Sequence, residues 1–374
     1  MPSPALIDIS YLLSPIEGEL SVGNDPRIDT AYSSNYSQIK DARRAARDAE
    51  RNNMFDGDNT EAQEHWGKIF SLAPKLIATQ AKDIEIACWL TEALVRKSGF
   101  QGLKDGFTLI RQLIENYWEQ GLYPVEDEDG IETRVAPIAG LNGEGADGVL
   151  LTPIRNSFIT EDAASEPYSF WQYQQAVDVS RMSDENKQRN QIERNGFSMD
   201  NIEKAVGQSS NEYYANLYDD IDVCITEYKA VDALLIELCG RSEAPPTSKI
   251  IELLEGAKGA INHIAKAKLP IVIETSESDE QSDELIDQPE VTANASQSNN
   301  ITAALNSRDD AFKQLNIIAD YFKKTEPHSP ISFMLTKTVR WGNMPLEELM
   351  KELIPDSSSR DTYSSLTGVS VDDD

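Results

Sequence analysis

Large apolar residues return every three or four positions over most of this chain, most strictly at 211–238. There Tyr214, Leu217, Ile221, Ile225, Tyr228, Val231, Leu235 and Leu238 keep to one side of a 3.6-residue period over many turns. Gly240 and Pro245-Pro246 end that run. Ile251, Leu254, Ala257, Ile261 and Ile264 then predict a returning helix over 250–267, so 198–269 reads as a helical hairpin. Upstream, Trp66, Ile69, Phe70 and Ala73 form a stripe behind Thr60 and Gln63, which have the spacing of a capping box. Ile84, Cys88, Thr91 and Leu94 form a second stripe after Asp83, closed by Gly99 at the C′ position. Phe107, Ile110, Leu113, Ile114 and Tyr117 form a third, stopped by Gly121 and Pro124. Short turns between these three predict antiparallel neighbours on one core.

The intervening segments are less regular. Residues 1 to about 30 are rich in Pro, Gly, Ser and Asp and predict an extended, turn-filled lead-in. A polar helix over 32–53 carries Lys40, Arg43, Arg44, Arg47 and Arg51 and almost no large apolar face. It reads as a solvated helix or, more sharply, as a basic docking face. Glu126 to Asp129 and Glu132 make an acidic loop, and GLNGEGADGVLLTP suggests a short helix broken by Gly and Pro. Tyr168 to Val179 reads as helix, and Ser183 to Phe197 as a polar loop or weak helix.

Beyond residue 270 the pattern changes. ETSESDEQSDELIDQPEVTANASQSNN holds eight acidic residues and no Lys or Arg, too few apolar groups to offset the entropy of ordering. A last helical block follows. Its first stripe is Phe312, Leu315, Ile318, Ala319 and Phe322 after a cap at Ser307. Ser329-Pro330 then opens a helix with Ile331, Met334, Leu335, Val339 and Trp341. Gly342 and Pro345 lead to Leu346, Leu349, Met350 and Leu353, and the tail after Pro355 reads as frayed. The predicted fold is therefore all-α. It comprises an N-terminal helical bundle with its lead-in (1–160), a middle hairpin or bundle (166–269), a flexible acidic linker (270–304) and a small C-terminal oligomerisation domain (305–374).

Charge sharpens this division. The 374 residues carry a net charge of -30, which disfavours nucleic acid and anionic membrane surfaces as partners. Leu305 to Leu353, however, holds seven basic and seven acidic residues, so the whole excess lies elsewhere. A neutral, apolar helical block of about fifty residues is marginal by itself. It has the character of a self-association module, free of the repulsion that opposes gathering the acidic parts. Phe322, Met334, Leu335, Arg340, Trp341, Leu346 and Leu349 are its candidate contacts. Of the five tryptophans, those in helical stripes read as core; Trp341, beside Arg340 at a helix end, is the exception, since Trp and Arg are enriched at interface hot spots.

No pattern points to catalysis, a metal or a cofactor. His65, His263 and His328 are isolated, and there is no His-Glu-x-x-His, P-loop, Gly-x-Ser-x-Gly or Gly-x-Gly-x-x-Gly. Cys88, Cys224 and Cys239 are odd in number and widely spaced, which fits free thiols of a reducing compartment. The opening has no basic n-region and no stretch is long enough to span a membrane, so the expected location is the cytoplasm.

Two stretches resemble a known family. IACWLTEALVRKSGFQGLKDGFTLIRQLIENYWEQGLYP, at 86–124, is similar to the N-terminal domain of the ImpA-type TssA proteins of type VI secretion. The matching positions are Trp89 and Glu92 in WLTEAL, Gly99, Phe100, Gly102, Asp105 and Gly106 in the glycine turn, and Tyr117-Trp118 before the loop. The lead-in LLSPIEGEL…GNDPR resembles the family's opening, and 307–354, with TEPHSP and RWG-x-MPLEEL, resembles the C-terminal module of its short forms. The resemblance implies a non-enzymatic organiser of the contractile tail that forms ring-like homo-oligomers through its C-terminal module. It also implies partners at the baseplate and growing sheath end: TssK, TssF, the VgrG spike, the Hcp tube and the TssB–TssC sheath. A monomeric helical adaptor or chaperone that delivers a secreted effector is the alternative.

Overall fold

The structure is a computed structural model that describes residues 2–52, 59–163, 166–269, 308–325, 330–342, 344 and 346–353. The linker at 270–304, Ser307, Ser329, Pro345 and the tail after Pro355 lie outside the described residues. The described residues form helices, with isolated bridges and no strand, so the all-α expectation holds. The chain divides into two compact units, Met1–Ser276 and Glu277–Asp374.

The first unit contains α1 (Ile9–Leu12), α2 (Asn35–Asn52), α3 (Thr60–Thr79), α4 (Ile84–Tyr117), α5 (Ile131–Asn142) and α6 (Leu151–Asn156). It continues through α7 (Phe170–Ser180), α8 (Glu185–Asn195), α9 (Met199–Gln208), α10 (Asn211–Cys239) and α11 (Ser248–Ile264). α4 is its axis. It buries residues on every side, from Ile84 to Tyr117, as a helix apolar around its circumference must. α3 and α10 pack along it, and the Phe107 and Tyr228 rings stack 4.4 Å apart where α10 meets it. The segments 1–160 and 166–269 thus share one continuous core.

Asp83 caps α4 by accepting from the Ile86 amide, and the helix breaks at Ser98-Gly99, where Gly99 has φ 55°. The expected stop at Gly99 is therefore a kink between two arms, 84–97 and 100–117. Two other expectations change. Asn59, not Thr60, occupies the N-cap of α3, and Thr60 is the first helical residue. Reciprocal capping boxes occur instead at Ser169–Gln172 and Ser198–Asn201. The helix suggested within 140–153 lies to either side of a loop: Gly143, at φ 85°, ends α5, and α6 starts at Leu151.

α2 is not a solvated helix. Ile39, Ala42, Ala46 and Ala49 form a buried stripe against α3. Alanine gives a weak periodic signal but allows close helix approach, which is why so polar a helix packs tightly. Nor is the lead-in loose. Lys82, fully buried, donates to Leu12 O at 2.7 Å, and Tyr117 Oη donates to Leu13 O. The Leu6 amide donates to Asp105 and the Ser3 amide to Asp220.

The second unit comprises α12 (Arg308–Thr325), α13 (Ile331–Gly342) and α14 (Leu346–Leu353). α12 and α13 meet where the Phe312 ring covers Gly342; a Cβ there would stand 2.3 Å from Phe312 Cζ.

Candidate interaction surfaces

The glycine turn of α4 builds the fold. At Gly102 a Cβ would lie 2.2 Å from Leu94 O, and at Gly106 2.5 Å from the Thr91 side chain. The two arms of α4 can fold against each other only with hydrogen at these positions. Phe100 is buried, and Cys224 Sγ donates to its carbonyl from α10 at 3.5 Å. Asp105, also buried, receives the lead-in amides; burial raises its carboxyl above the usual range, offset by those bonds and by Lys104. Tyr117 and Trp118 are buried at the far end, with the Arg134 guanidinium 3.8 Å from the Trp118 ring centroid. Thus α4 gathers Gly99, Phe100, Gly102, Asp105, Gly106, Tyr117 and Trp118 as packing and strap-holding residues.

Trp89 and Glu92 are different, because they line a cleft. Their helix face, Glu85, Cys88, Trp89 and Glu92, looks across it to Thr133, Ala136, Pro137 and Gly140 of α5. Glu92 is fully buried. Its Oε1 accepts from Arg43 Nε and Nη2 at 2.7 Å, whereas its Oε2 has no hydrogen-bond donor and stands 4.0 Å from Arg96 Nη1. Arg43 also stacks over Trp89 at 5.4 Å. Arg96 is bonded to Glu50 at 2.6 Å and lies over Trp66 at 4.1 Å. At the other end Arg27 joins Asp25, Asp83 and Glu85 at 3.1, 2.7 and 2.6 Å. The basic docking face expected on α2 is therefore largely neutralised within the chain, since Arg44 and Arg51 pair with Asp41 and Asp48. Sequence spacing could not show this, because Arg43 and Glu92 lie on different helices.

The second unit presents a different surface. Its buried side chains, among those described, are Ala319, Ser332 and Val339, all small or medium. Outside, Tyr321, Phe333 and Met334 are 62%, 69% and 67% exposed, beside Ile317, Ile318 and Ile331. Of the expected contacts, Met334 is exposed and Phe322, Leu335, Trp341 and Leu349 are half-buried. Arg340 is exposed but paired with Glu352 at 2.7 Å, and Lys337 lies 4.6 Å over Trp341. Trp341 and the Arg340 and Lys337 cations hold the Glu352 carboxyl below its usual range. Arg340 and Lys337, the latter 3.7 Å from Glu352, thus clip α13 to α14. The side chain of Leu346 falls outside the described residues. Ile317, Tyr321 and Phe333 were not singled out in the sequence; the adjacent apolar pairs Ile317-Ile318 and Phe333-Met334, which one stripe cannot bury, are the signal that finds them. The exposed tryptophan of the first unit is Trp171, at 44%, although its helical stripe suggested core.

Neither region brings together a reacting set. Among the described residues no three His, Cys, Asp or Glu side chains gather as metal ligands. Burial pushes the Cys88 and Cys224 thiols well up, away from the reactive thiolate. No described helix is long and apolar enough to cross a membrane.

Comparison with known proteins gives three findings. A family described as ImpA, N-terminal, type VI secretion system matches residues 13–143. The type VI secretion system component TssA1 of Pseudomonas aeruginosa is 22% identical over 364 residues, covering 95% of this chain and 97% of its own. Among solved structures, the N-terminal domain of the TssA component from Burkholderia cenocepacia, including its conserved ImpA_N region, aligns with a TM-score of 0.58. The identity is 24%, over 72% of this chain and 98% of that one.

Proposed function

We propose, from the premise that this chain is a TssA relative carrying an ImpA N-terminal domain, that it is a non-enzymatic scaffold of the type VI secretion machine. It self-associates through 305–374 and presents many copies of its first unit to baseplate, spike, tube and sheath proteins in the cytoplasm. Multivalent display raises effective concentration at the assembly site without any new contact.

The observation that carries this reading is the exposure of Tyr321, Phe333 and Met334 on a unit whose described buried side chains are only Ala319, Ser332 and Val339. Large apolar groups left outside a thin interior mark an association surface. The charge balance of Leu305 to Leu353 within that unit removes the repulsion that a -30 chain would otherwise impose on its copies.

Light scattering on the full-length protein tests it. The expected result is an assembly of many copies, and a folded monomer or dimer after removal of 305–374. A monomeric full-length chain would overturn the scaffold reading and favour an adaptor that binds one effector.

A further inference from the structure

The groove between α7 and α11 is a surface that the scaffold reading leaves unused. Phe170, Tyr173 and Val177 line it at i, i+3 and i+7 of α7. Gly256, Gly259, Ala260 and His263 line it at i, i+3, i+4 and i+7 of α11. The two helices touch through aromatic side chains. A Cβ at Gly256 would stand 3.7 Å from Phe170 Cζ, and Tyr173 Oη lies 3.5 Å from His263 Nδ1. Between Gly256 and His263 the floor is bare: nothing lies within 4 Å of where a Gly259 Cβ would sit. The cavity volume is about 910 Å³, more than one side chain fills.

The charge of the groove is opposite to that of the chain. Arg155 and Arg181 stand exposed in its lining, and neither forms an ion pair with a described residue. Arg27, Arg43, Arg96 and Arg111, by contrast, are each paired within the first unit. Among the described residues that line the groove, Asp178 is the one carboxylate. Two guanidinium groups against one carboxylate leave a local positive surplus on a chain of net charge -30, and an anionic partner gains most there. Trp171 adds a second anomaly: it lines the same groove and is 44% exposed, although its helical stripe suggested core. Trp, Tyr and Arg are the residue types enriched at interface hot spots, and all three meet here.

We propose that this groove seats an amphipathic helix of a partner protein, apolar on the side that meets α7 and α11 and acidic on its flanks. The space between two helix faces takes a third helix, and Gly259 has no side chain to hold its backbone away. The apolar side packs on Trp171, Tyr173 and Ala260, and the flanking carboxylates pair with Arg155 and Arg181. This gives the first unit a recognition surface of its own. It rests on that unit alone, so it stands even if the full-length protein proves monomeric.

The test uses the full-length chain and a short fluorescein-labelled, lactam-stapled helix, with leucines along one side and glutamates on both flanks. Binding is read as fluorescence anisotropy, and the same helix with glutamine for glutamate is the comparison. The glutamate helix is expected to bind about tenfold more tightly, the worth of two ion pairs at a rim. Arg155→Gln with Arg181→Gln should erase that preference, so that the two helices bind alike. Arg189→Gln with Arg241→Gln, which removes two exposed arginines outside the groove, should keep it. Gly259→Leu fills the groove and replaces a helical glycine by a better helix former, so it should abolish binding of both helices without lowering the thermal midpoint. Equal binding of the two helices by wild type, a preference kept without Arg155 and Arg181, or one lost in the control variant would overturn the proposal. So would retention of binding in Gly259→Leu, or no binding by wild type. A fall in assembly size in Gly259→Leu would give the groove to a second copy of this chain and overturn it too.

Discussion

The Lys104 ammonium lies 3.1 Å from the Asp220 carboxylate, and both side chains are buried where α4 meets α10. The same pair holds the start of the chain: the Ser3 amide donates to Asp220 at 2.9 Å, and Lys104 donates to Ser3 O. One ion pair therefore ties together the lead-in, the central helix and the long helix of the hairpin.

Removing one partner strands the other. Asp220→Ala leaves a buried ammonium and is expected to cost about 3 kcal/mol in urea unfolding. The Lys104→Met, Asp220→Leu double variant should be more stable than Lys104→Met alone, which strands both Asp220 and Asp105; in the double variant only Asp105, 3.9 Å from Lys104, loses its cation. Both single variants should expose the first residues to an added protease. A double variant no better than Lys104→Met would show that the pair is not what holds the junction.

The two glycines of the α4 turn predict an ordering. Gly102→Ala forces a methyl against the Leu94 backbone, which cannot rotate away, whereas Gly106→Ala meets the Thr91 side chain. Gly102→Ala is expected to lose about 3 kcal/mol or more and Gly106→Ala less, by overpacking. Denaturant midpoints check this, and the reverse order would contradict the close approach of the two arms.

What could be read from the sequence followed from local spacing. The α10 stripe from Tyr214 to Leu235 appears where the pattern placed it, the stop expected at Gly99 marks the kink of α4, and 183–197, read as a polar loop or weak helix, contains α8. What could not be read depended on residues far apart or on small side chains. Ser3 and Asp220 are 217 positions apart, and nothing local marks either as a clamp. Ala42, Ala46 and Ala49 are too small to dominate a hydrophobic pattern, so α2 looked solvated. Arg43 suggested an outward docking face because Glu92, its partner on α4, cannot be inferred from spacing along α2. Arg340 and Trp341 suggested an interface by residue type, but Glu352 and Lys337 engage them within their own unit.

Lys82 gives a pH dependence with a definite sign. Burial lowers its ammonium from the ordinary 10.5 to about 8. Below pH 8 both folded and unfolded chains hold the proton, and the folded state bears the cost of the buried charge. Between about 8 and 10.5 the folded state releases the proton while the unfolded state keeps it, so stability rises with pH through this window. Relative to Lys82→Met, the wild type should gain about 2 to 3 kcal/mol between pH 7.5 and pH 10.5 at roughly 1.4 kcal/mol per pH unit. Urea unfolding of the two proteins across this range checks it. A constant difference would mean that the Leu12 and Ile77 carbonyls, which accept from Lys82 Nζ at 2.7 and 2.9 Å, keep it charged throughout.

The C-terminal helices separate residues that would hold copies together from those that hold one unit together. Phe333 and Met334 project from α13 and contribute little to their own unit, so Phe333→Ser with Met334→Ser should leave the helices folded and abolish assembly. Losing two exposed aromatic and thioether anchors from each contact is worth several kcal/mol per interface, enough to dissociate a complex at micromolar concentration. Arg340→Ala breaks the bond to Glu352 on the surface, where an ion pair contributes about 1 kcal/mol or less. It should fray α14 and leave the assembly size unchanged. Light scattering with helical circular dichroism distinguishes these outcomes. If Arg340→Ala dissociated the protein and the double serine variant did not, the contacts would lie on the Arg340–Trp341 side, and the exposed face of α13 would need another occupant.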